Sequence, residues 1–321
     1  MRAFALIDII NELYLVYKHI TTKPPTLTLE TNVPTPTLRQ QFQQPGMVIA
    51  PGAYDAIGAR LIEQAGFTAC YMTGAGASAA LGFPDFGLLT MTEMADNAGV
   101  MSRATTLPLI ADADTGYGNE LNVIRTVREY EARGVAAIHI EDQVTPKRCG
   151  HLDGKEVVSR LEFVSKIRAA VEARRSSEFM IIARTDARAV MGLEEAVWRA
   201  NAALDAGADM AFVEAVQSTQ EAAAVPEQVK GACLLNVVPG GRTPVNDLRQ
   251  AEAMGYKLAI LPGLLLVAAM QAGDAALAAV KSSLQAPAVD SSVAQMFRRL
   301  GADEWEEIRA RFNAGAAMEN A

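Results

Sequence analysis

The sequence predicts a single (β/α)8 barrel, on three observations. Eight short apolar runs recur between residues 47 and 263. Helical patterns fill the intervals, several of them ending in a glycine at the cap position: Gly66, Gly134, Gly207 and Gly255. The alternation also occupies a length close to the ~250 residues of such a barrel. An open doubly wound sheet is the alternative, since closure leaves no mark in a sequence.

Taken in chain order, MVIAPG (47–52) is the first run, and YDAIGARLIEQAG (54–66) is the helix that returns from it. ACYMTG (69–74) and LPLIADAD (107–114) are the second and third, with NELNVIRTVREYEARG (119–134) after the third. AAIHIED (136–142) is the fourth, and SRLEFVSKIRAAVEARR (159–175) leads on to FMIIARTDA (179–187). GLEEAVWRANAALDAG (192–207) precedes MAFVEA (210–215), and CLLNVV (233–238) and KLAILPG (257–263) complete the set. Each run is short, apolar and rich in β-branched residues, as in parallel strands covered on both faces. Beyond the eighth run come an Ala-rich helix (about 264–285) and two more helices, SSVAQMFRRLG and ADEWEEIRARFN, which exceed the needs of one barrel and could pack against a neighbouring subunit. Residues 1–37 read as a short amphipathic helix (1–18) with a Thr/Pro-rich linker, 38–285 as the catalytic barrel, and 286–321 as a helical segment.

Half of the 321 residues are hydrophobic and 21% are charged, which excludes disorder for most of the chain. A net charge of −8 argues against a nucleic-acid groove or an anionic membrane surface as partner. The best candidate membrane run, LAILPGLLLVAAM (258–270), is interrupted by Pro262-Gly263 and is expected to be too short. Neither a basic n-region nor a cleavage site precedes the apolar start, so no signal peptide is expected. Three cysteines cannot build a disulfide framework. A reducing, cytoplasmic setting is the expectation, with a mitochondrial one left open. His19, in the extension, is expected to be exposed.

Barrel chemistry sits on the loops that follow the strands. Here six consecutive runs end in polar groups: Thr73-Gly74-Ala75-Gly76, Asp112-Ala113-Asp114, Glu141-Asp142, Arg184-Thr185-Asp186, Glu214 and Asn236. Any one could be a mere turn residue, but carboxylates that point together repel unless a cation compensates. Strand alternation would put Asp112 and Asp114 on one side, with Glu141 beside them. That is an all-oxygen site suited to Mg²⁺ or Mn²⁺ rather than zinc. His139 lies one layer deeper and is expected to donate to a neighbouring carboxylate.

The loop after the fourth run is long enough for a lid and carries Lys147-Arg148-Cys149-Gly150-His151. Flanked by cations, the Cys149 thiol is expected to have a lowered pKa and to act as nucleophile or proton donor. Cys70 and Cys233 lie in apolar runs and are expected to be inert. The glycines of Gly74-Ala75-Gly76 resemble a dinucleotide fingerprint, but Asp85 falls in the LGFPDFG loop, before the helix such a motif requires. They are better read as letting the backbone approach an anionic substrate.

YMTGAG, GFPDFG, ADADTGYG, IEDQ, PKRCGH, ARTDA and VEA stand here in the order and spacing of the isocitrate lyase/phosphoenolpyruvate mutase superfamily, and the resemblance covers about residues 38–300. It implies a (β/α)8 barrel, a homotetramer with a terminal helix exchanged between subunits, and Mg²⁺-bound 2-oxo or 2-hydroxy acids. By that resemblance Asp114 is the direct metal ligand, with Asp85, Asp112 and Glu141 holding its waters. Arg184, Asn236 and the Thr73, Gly74 and Ala75 amides form the substrate clamp, together with Tyr71 and Pro262. Glu214 supports the site, and Lys147, Cys149 and His151 belong to a mobile catalytic loop.

The KRCGH stretch resembles the C–C lyases and oxaloacetate hydrolases, whereas members acting on P–C bonds lack the cysteine. Where methylisocitrate and isocitrate lyases place an arginine after the last-strand proline, this chain reads Pro262-Gly-Leu-Leu-Leu-Val-Ala. Burying an unpaired third carboxylate there would cost several kcal/mol. The expected substrate is therefore a dicarboxylate, with tricarboxylates disfavoured although Arg242 could reach a carboxylate. The expected reaction is lyase cleavage of a 2-hydroxy (or 2-oxo) dicarboxylate with Cys149 as general acid. The alternatives are oxaloacetate hydrolysis to oxalate and acetate, a methylisocitrate lyase, and a metabolite-binding barrel without turnover.

Overall fold

The structure, a computed structural model, describes residues 35–316. The expected helix over 1–18, His19 and most of the Thr/Pro-rich linker lie outside those residues.

Eight parallel strands close into a barrel in sequence order: β1 (Val48–Ala53), β2 (Cys70–Met72), β3 (Leu109–Asp112), β4 (Ala137–Glu141), β5 (Met180–Thr185), β6 (Met210–Val213), β7 (Cys233–Asn236) and β8 (Leu258–Leu261). β8 pairs back to β1, with Val48 opposite Leu258. Closure decides between the two arrangements that the sequence left open. Helix α1 (Leu38–Gln43) precedes the barrel, and its Thr37 hydroxyl and Gln40 side chain form a capping box. Its buried Leu38 and the neighbouring Phe42 join the cluster of Val48, Ile110, Ile182, Phe212, Leu234 and Ile260 that fills the barrel interior.

The ring of helices outside comprises α2 (Ala56–Gln64), α3 (Gly74–Ala80), α4 (Met91–Ala104), α5 (Glu120–Ala132), α6 (Arg160–Ala173), α7 (Ala187–Met191), α8 (Leu193–Asp205), α9 (Thr219–Gln228) and α10 (Leu248–Ala253). Ile138, Ile140, Ile181 and Ala183 point outward against Val123, Val127, Phe163 and Ile167 of α5 and α6. Each large side chain so buried contributes roughly 1.5–3 kcal/mol of transfer free energy. The two-residue period then fixes the site. If Ile110, Ile182, Phe212 and Leu234 fill the barrel, Asp112, Arg184, Glu214 and Asn236 face the same interior one step nearer the C-terminal mouth.

Among the described residues three helices follow the barrel: α11 (Leu264–Ser283), α12 (Val293–Arg299) and α13 (Ala302–Ala316). α11 corrects one expectation. The apolar run restarts after Pro262-Gly263 and carries only Asp274 and Lys281 as charges, so a helix of 20 residues, with an 18-residue stretch of mean hydropathy 1.5, is long and apolar enough to cross a membrane. It nonetheless springs directly from β8, and Leu265 packs against Gly58 of α2. Val267, Met270, Leu277 and Val280 remain exposed along it, as do Phe297, Trp305 and Phe312 on α12 and α13.

Candidate active site

The polar strand ends converge at the C-terminal mouth. β3 stops at Asp112, and Asp114 lies beyond it with φ 45°, in the left-handed region. The two carboxylates meet as expected, but a turn brings Asp114 there, not strand alternation. Asp112 Oδ1 accepts the Asp114 backbone N–H at 2.9 Å and so holds that turn. A non-glycine residue in this conformation costs of order 1–3 kcal/mol and persists where its surroundings fix it. Gly74 opens α3 directly against Asp112, where a Cβ would collide with the carboxylate. Thr73 caps the same helix, its hydroxyl accepting the Gly76 N–H at 3.3 Å, and Ala75 follows in the first turn.

Tyr71 and His139 form the layer beneath. Tyr71 Oη lies 2.8 Å from His139 Nε2, whereas a neighbouring carboxylate, the partner type expected, is 3.7 Å away at Asp112. Tyr71 thus spends its hydroxyl below the mouth, not at the rim where the resemblance put it. Burial lowers the His139 pKa to about 4, so its ring is neutral.

Lys147 supplies the compensating cation. Its ammonium pairs with Asp85, and with Asp114 Oδ1 at 2.9 Å. Burial alone would lower its pKa, but Asp114, Asp112, Asp85 and Glu141 hold it well above the ordinary value. Burial also pushes Asp112 up, yet His139, Lys147 and Arg184 overcome it and leave the carboxyl at about 2. For Asp114 burial wins, Asp112 and Asp85 add to it, and the pKa rises to about 6.

Arg184 is the second cationic centre. β5 sets it opposite Glu141 in register, and it meets Glu141 Oε2 at 3.1 Å, Asp186 Oδ2 at 2.9 Å and Glu214 Oε2 at 3.4 Å. The Phe212 ring supports the guanidinium at 5.2 Å. Glu214 accepts the Ala215 N–H at 2.6 Å and the Asn236 amide at 2.9 Å, which leaves Asn236 Oδ1 buried with no hydrogen bond.

The loop over residues 143–159 folds across this mouth. The Gln143 side chain closes its tip by bonding both the N–H and the carbonyl of Arg148. The Cys149 N–H donates to the Asp85 carbonyl at 3.2 Å. Gly150 lies so close to the site that a Cβ there would stand 2.5 Å from both Arg184 Nη2 and Glu214 Cγ. The Arg242 N–H donates to His151 Nδ1 at 3.0 Å. The neutral ring therefore carries its proton on Nε2, 3.5 Å from Glu214 Oε1. Burial lowers the His151 pKa and favours that neutral form.

The phosphoenolpyruvate phosphomutase family model matches residues 38–281. The chain belongs to the phosphoenolpyruvate mutase/isocitrate lyase superfamily. It is similar to the 2,3-dimethylmalate lyase of Eubacterium barkeri, with 50% identity over 236 residues, 73% of this chain and 82% of that protein. Among solved structures it resembles an oxaloacetate acetylhydrolase in complex with 3,3-difluorooxalacetate: TM-score 0.84, 38% identity, 86% of this chain and 96% of that one. It also resembles a phosphonopyruvate hydrolase complexed with oxalate and Mg²⁺, with TM-score 0.78 and 31% identity, covering 86% of this chain and 97% of that one. The chain is thus an enzyme of this superfamily, with named C–C lyases and hydrolases among its relatives.

In this superfamily enzyme two expectations change. Burial raises the Cys149 pKa, and Asp85 and Glu214 add to the rise, so the residue is a thiol and not a thiolate. The flanking cations fail to lower it because Lys147 is spent on Asp85 and Asp114, and Arg148 lies over the Phe86 ring at 5.9 Å. Arg242 serves the lid: Nε donates to the His151 carbonyl at 3.0 Å and Nη2 pairs with Asp153 at 2.5 Å. Pro262 packs its backbone on Gly52 at the β1–β8 side of the rim.

The sequence also hides a supporting layer. Asp142 accepts the Thr185 hydroxyl at 2.6 Å, the Asp186 N–H at 2.8 Å and Arg199 at 3.1 Å, all buried. Asp142 and Asp186 were visible as polar strand ends, but nothing in the sequence separates a support from a ligand. Lys155, whose side chain is 1% exposed, bonds the Gly150 carbonyl and lies 3.6 Å from Asp186.

The donor set suits a hard divalent cation. The carboxylates offer only oxygens: Asp114 Oδ1 and Glu141 Oε2 are buried against the Lys147 ammonium and the Arg184 guanidinium, and Glu141 Oε1 is buried with no partner. Among the described residues no three such groups converge tightly enough to hold an ion alone. A cation held directly by one carboxylate, with the others reaching it through water, fits that spacing.

Proposed function

We propose that this enzyme cleaves the C2–C3 bond of a 2-hydroxy dicarboxylate carrying an alkyl substituent or none, with Mg²⁺ or Mn²⁺ as cofactor and Cys149 as general acid. The observation that carries the reading is the position of Cys149, a protonated thiol on a lid folded over Arg184 and a nest of carboxylates. Asp114 would hold the metal, and Asp85, Asp112 and Glu141 its waters. When bound, it supplies Lewis-acid stabilisation of charge at the substrate's 2-oxygen and carboxylate.

The protein's own groups do the rest. Arg184 adds fixed positive charge where a carboxylate seats, and Asn236 Oδ1 receives a substrate hydroxyl. His151 and Asn236 hold Glu214 in place, so the Arg184 environment is set before substrate arrives. As the C2–C3 bond breaks, the 2-hydroxyl proton leaves to the carboxylate set and the bonding pair collects on C3. The Cys149 proton then passes to C3, giving a 2-oxo acid and a simple carboxylate. The apolar stretch after Pro262 supports a dicarboxylate over a tricarboxylate. The exposed apolar residues of α11 support a homotetramer in which a second copy covers that helix.

The structural likeness to an oxaloacetate acetylhydrolase favours a second reading, hydrolysis of oxaloacetate to oxalate and acetate. A Mg²⁺-dependent panel of 2-hydroxy and 2-oxo dicarboxylates separates the two by product. A 2-oxo acid from a 2-alkylmalate supports the lyase, and oxalate from oxaloacetate supports the hydrolase. No turnover of any member with Mg²⁺ or Mn²⁺ would refute both.

A further inference from the structure

We infer that Lys155 is the latch of the lid, a positioning residue that sets the depth at which Cys149 and Gly150 enter the mouth. The geometry is specific. Lys155 lies on the returning leg of the loop, and its ammonium reaches back to the Gly150 carbonyl while facing Asp186 Oδ1 at 3.6 Å. Asp186 is the same carboxylate that grips Arg184, with Oδ2 on Nε at 2.9 Å and Oδ1 on Nη2 at 3.3 Å. One buried acceptor therefore serves both the substrate-facing guanidinium and the lid.

Asp186 itself cannot drift. Its backbone N–H is fixed by Asp142 Oδ1 at 2.8 Å. Gly150 has no slack either, because its Cα rests against Arg184 and Glu214.

A buried ammonium is tolerated only with partners. With the lid down Lys155 ties the Gly150 carbonyl, within the lid, to Asp186 on the barrel; when the lid lifts it loses Asp186 and carries the charge to water. The closed state thus has a discrete fastening next to the thiol, not a general stickiness. The inference rests on the lid reading given above, but its main test does not depend on any substrate.

The test is limited trypsin digestion at the Arg148–Cys149 bond, followed by mass spectrometry, with and without Mg²⁺ and oxalate. Lys155→Met is compared with Lys155→Gln, whose amide still donates to the Gly150 carbonyl, and thermal unfolding is recorded for each. Wild type is expected to resist cleavage in oxalate. Lys155→Met should be cut about tenfold faster or more, as for loss of a hydrogen bond from a charged group, with Lys155→Gln between them. Where the panel yields a substrate, kcat should fall more than KM rises. Cleavage at the wild-type rate would overturn the latch, and so would a lowered Tm with lid protection unchanged. If Lys155→Met does not fold, Lys155→Gln and Asp186→Asn make the same comparison, and wild-type cleavage in both overturns it. Failure of the whole panel in wild type would refute the proposed reaction while leaving the digestion result to stand alone.

Discussion

Replacing Gly150 by alanine adds one methyl group at the tightest point of the lid. Its Cβ would lie 2.5 Å from Arg184 Nη2 and Glu214 Cγ, about 1 Å inside the 3.5–4.0 Å at which non-bonded carbons rest. Neither neighbour can retreat. Arg184 is held by Glu141, Asp186 and Glu214, and Glu214 by the Ala215 N–H and Asn236. The lid must therefore ride about 1 Å high and carry Cys149 with it. A displacement of that size at a reacting group costs on the order of 10²-fold in rate. The barrel's stability should change little, because Gly150 is not in the left-handed region and the clash is relieved by lifting the lid, not by moving the strands. The assay is kcat/KM on the best substrate of the panel, read beside a thermal melt. Activity within threefold of wild type, with Tm unchanged, would refute the reasoning about the lid.

Cys149→Ser should abolish turnover while oxalate and Mg²⁺ still bind by calorimetry, and retained turnover would end the residue's role as acid. Because burial raises the thiol above its ordinary 9.0, the protonated form persists through neutral pH and is lost only as pH climbs past that value. The alkaline limb of kcat/KM should therefore lie above pH 9, and Cys149 should alkylate with iodoacetamide at pH 8 more slowly than free cysteine; faster alkylation contradicts the assignment. Asp142→Ala leaves Arg199 and the Thr185 and Asp186 donors without their buried acceptor. Breaking such a pair costs about 3–5 kcal/mol, a Tm loss of roughly 10 °C at 2–4 °C per kcal/mol. A shift below 3 °C would show that the network is dispensable.

The barrel was legible because its strands are short apolar runs at regular spacing, and because the mouth residues end those runs. Arg184, Glu214 and Asn236 needed only the two-residue period to be placed. The carboxylate pair was found for an incomplete reason, since Asp114 leaves the strand and turns back through a left-handed conformation that no periodicity records. The loop that carries Cys149 was visible as a long polar stretch, but the thiol's proton affinity was read from sequence neighbours. Space decides that property: the adjacent lysine points at Asp85 and Asp114, so its charge never reaches the sulfur as expected. Lys155 escaped notice because a lysine in a polar loop looks solvated until the fold buries it. Asp142 and Asp186 show the same limit, as partners forty-four residues apart that only the closed barrel brings together.

The lid is fastened along its whole length: Lys147 to Asp85 and Asp114, Cys149 to the Asp85 backbone, His151 and Asp153 to Arg242, and Lys155 to Asp186. Fastenings in parallel let go together, so opening is one slow event and not a gradual peeling. Product beneath such a cover leaves no sooner than that event, which can put departure, and not chemistry, in control of turnover. Adding a viscogen should then slow kcat in the wild type, and shortening the roster of fastenings should make the enzyme progressively indifferent to the thickness of its solvent.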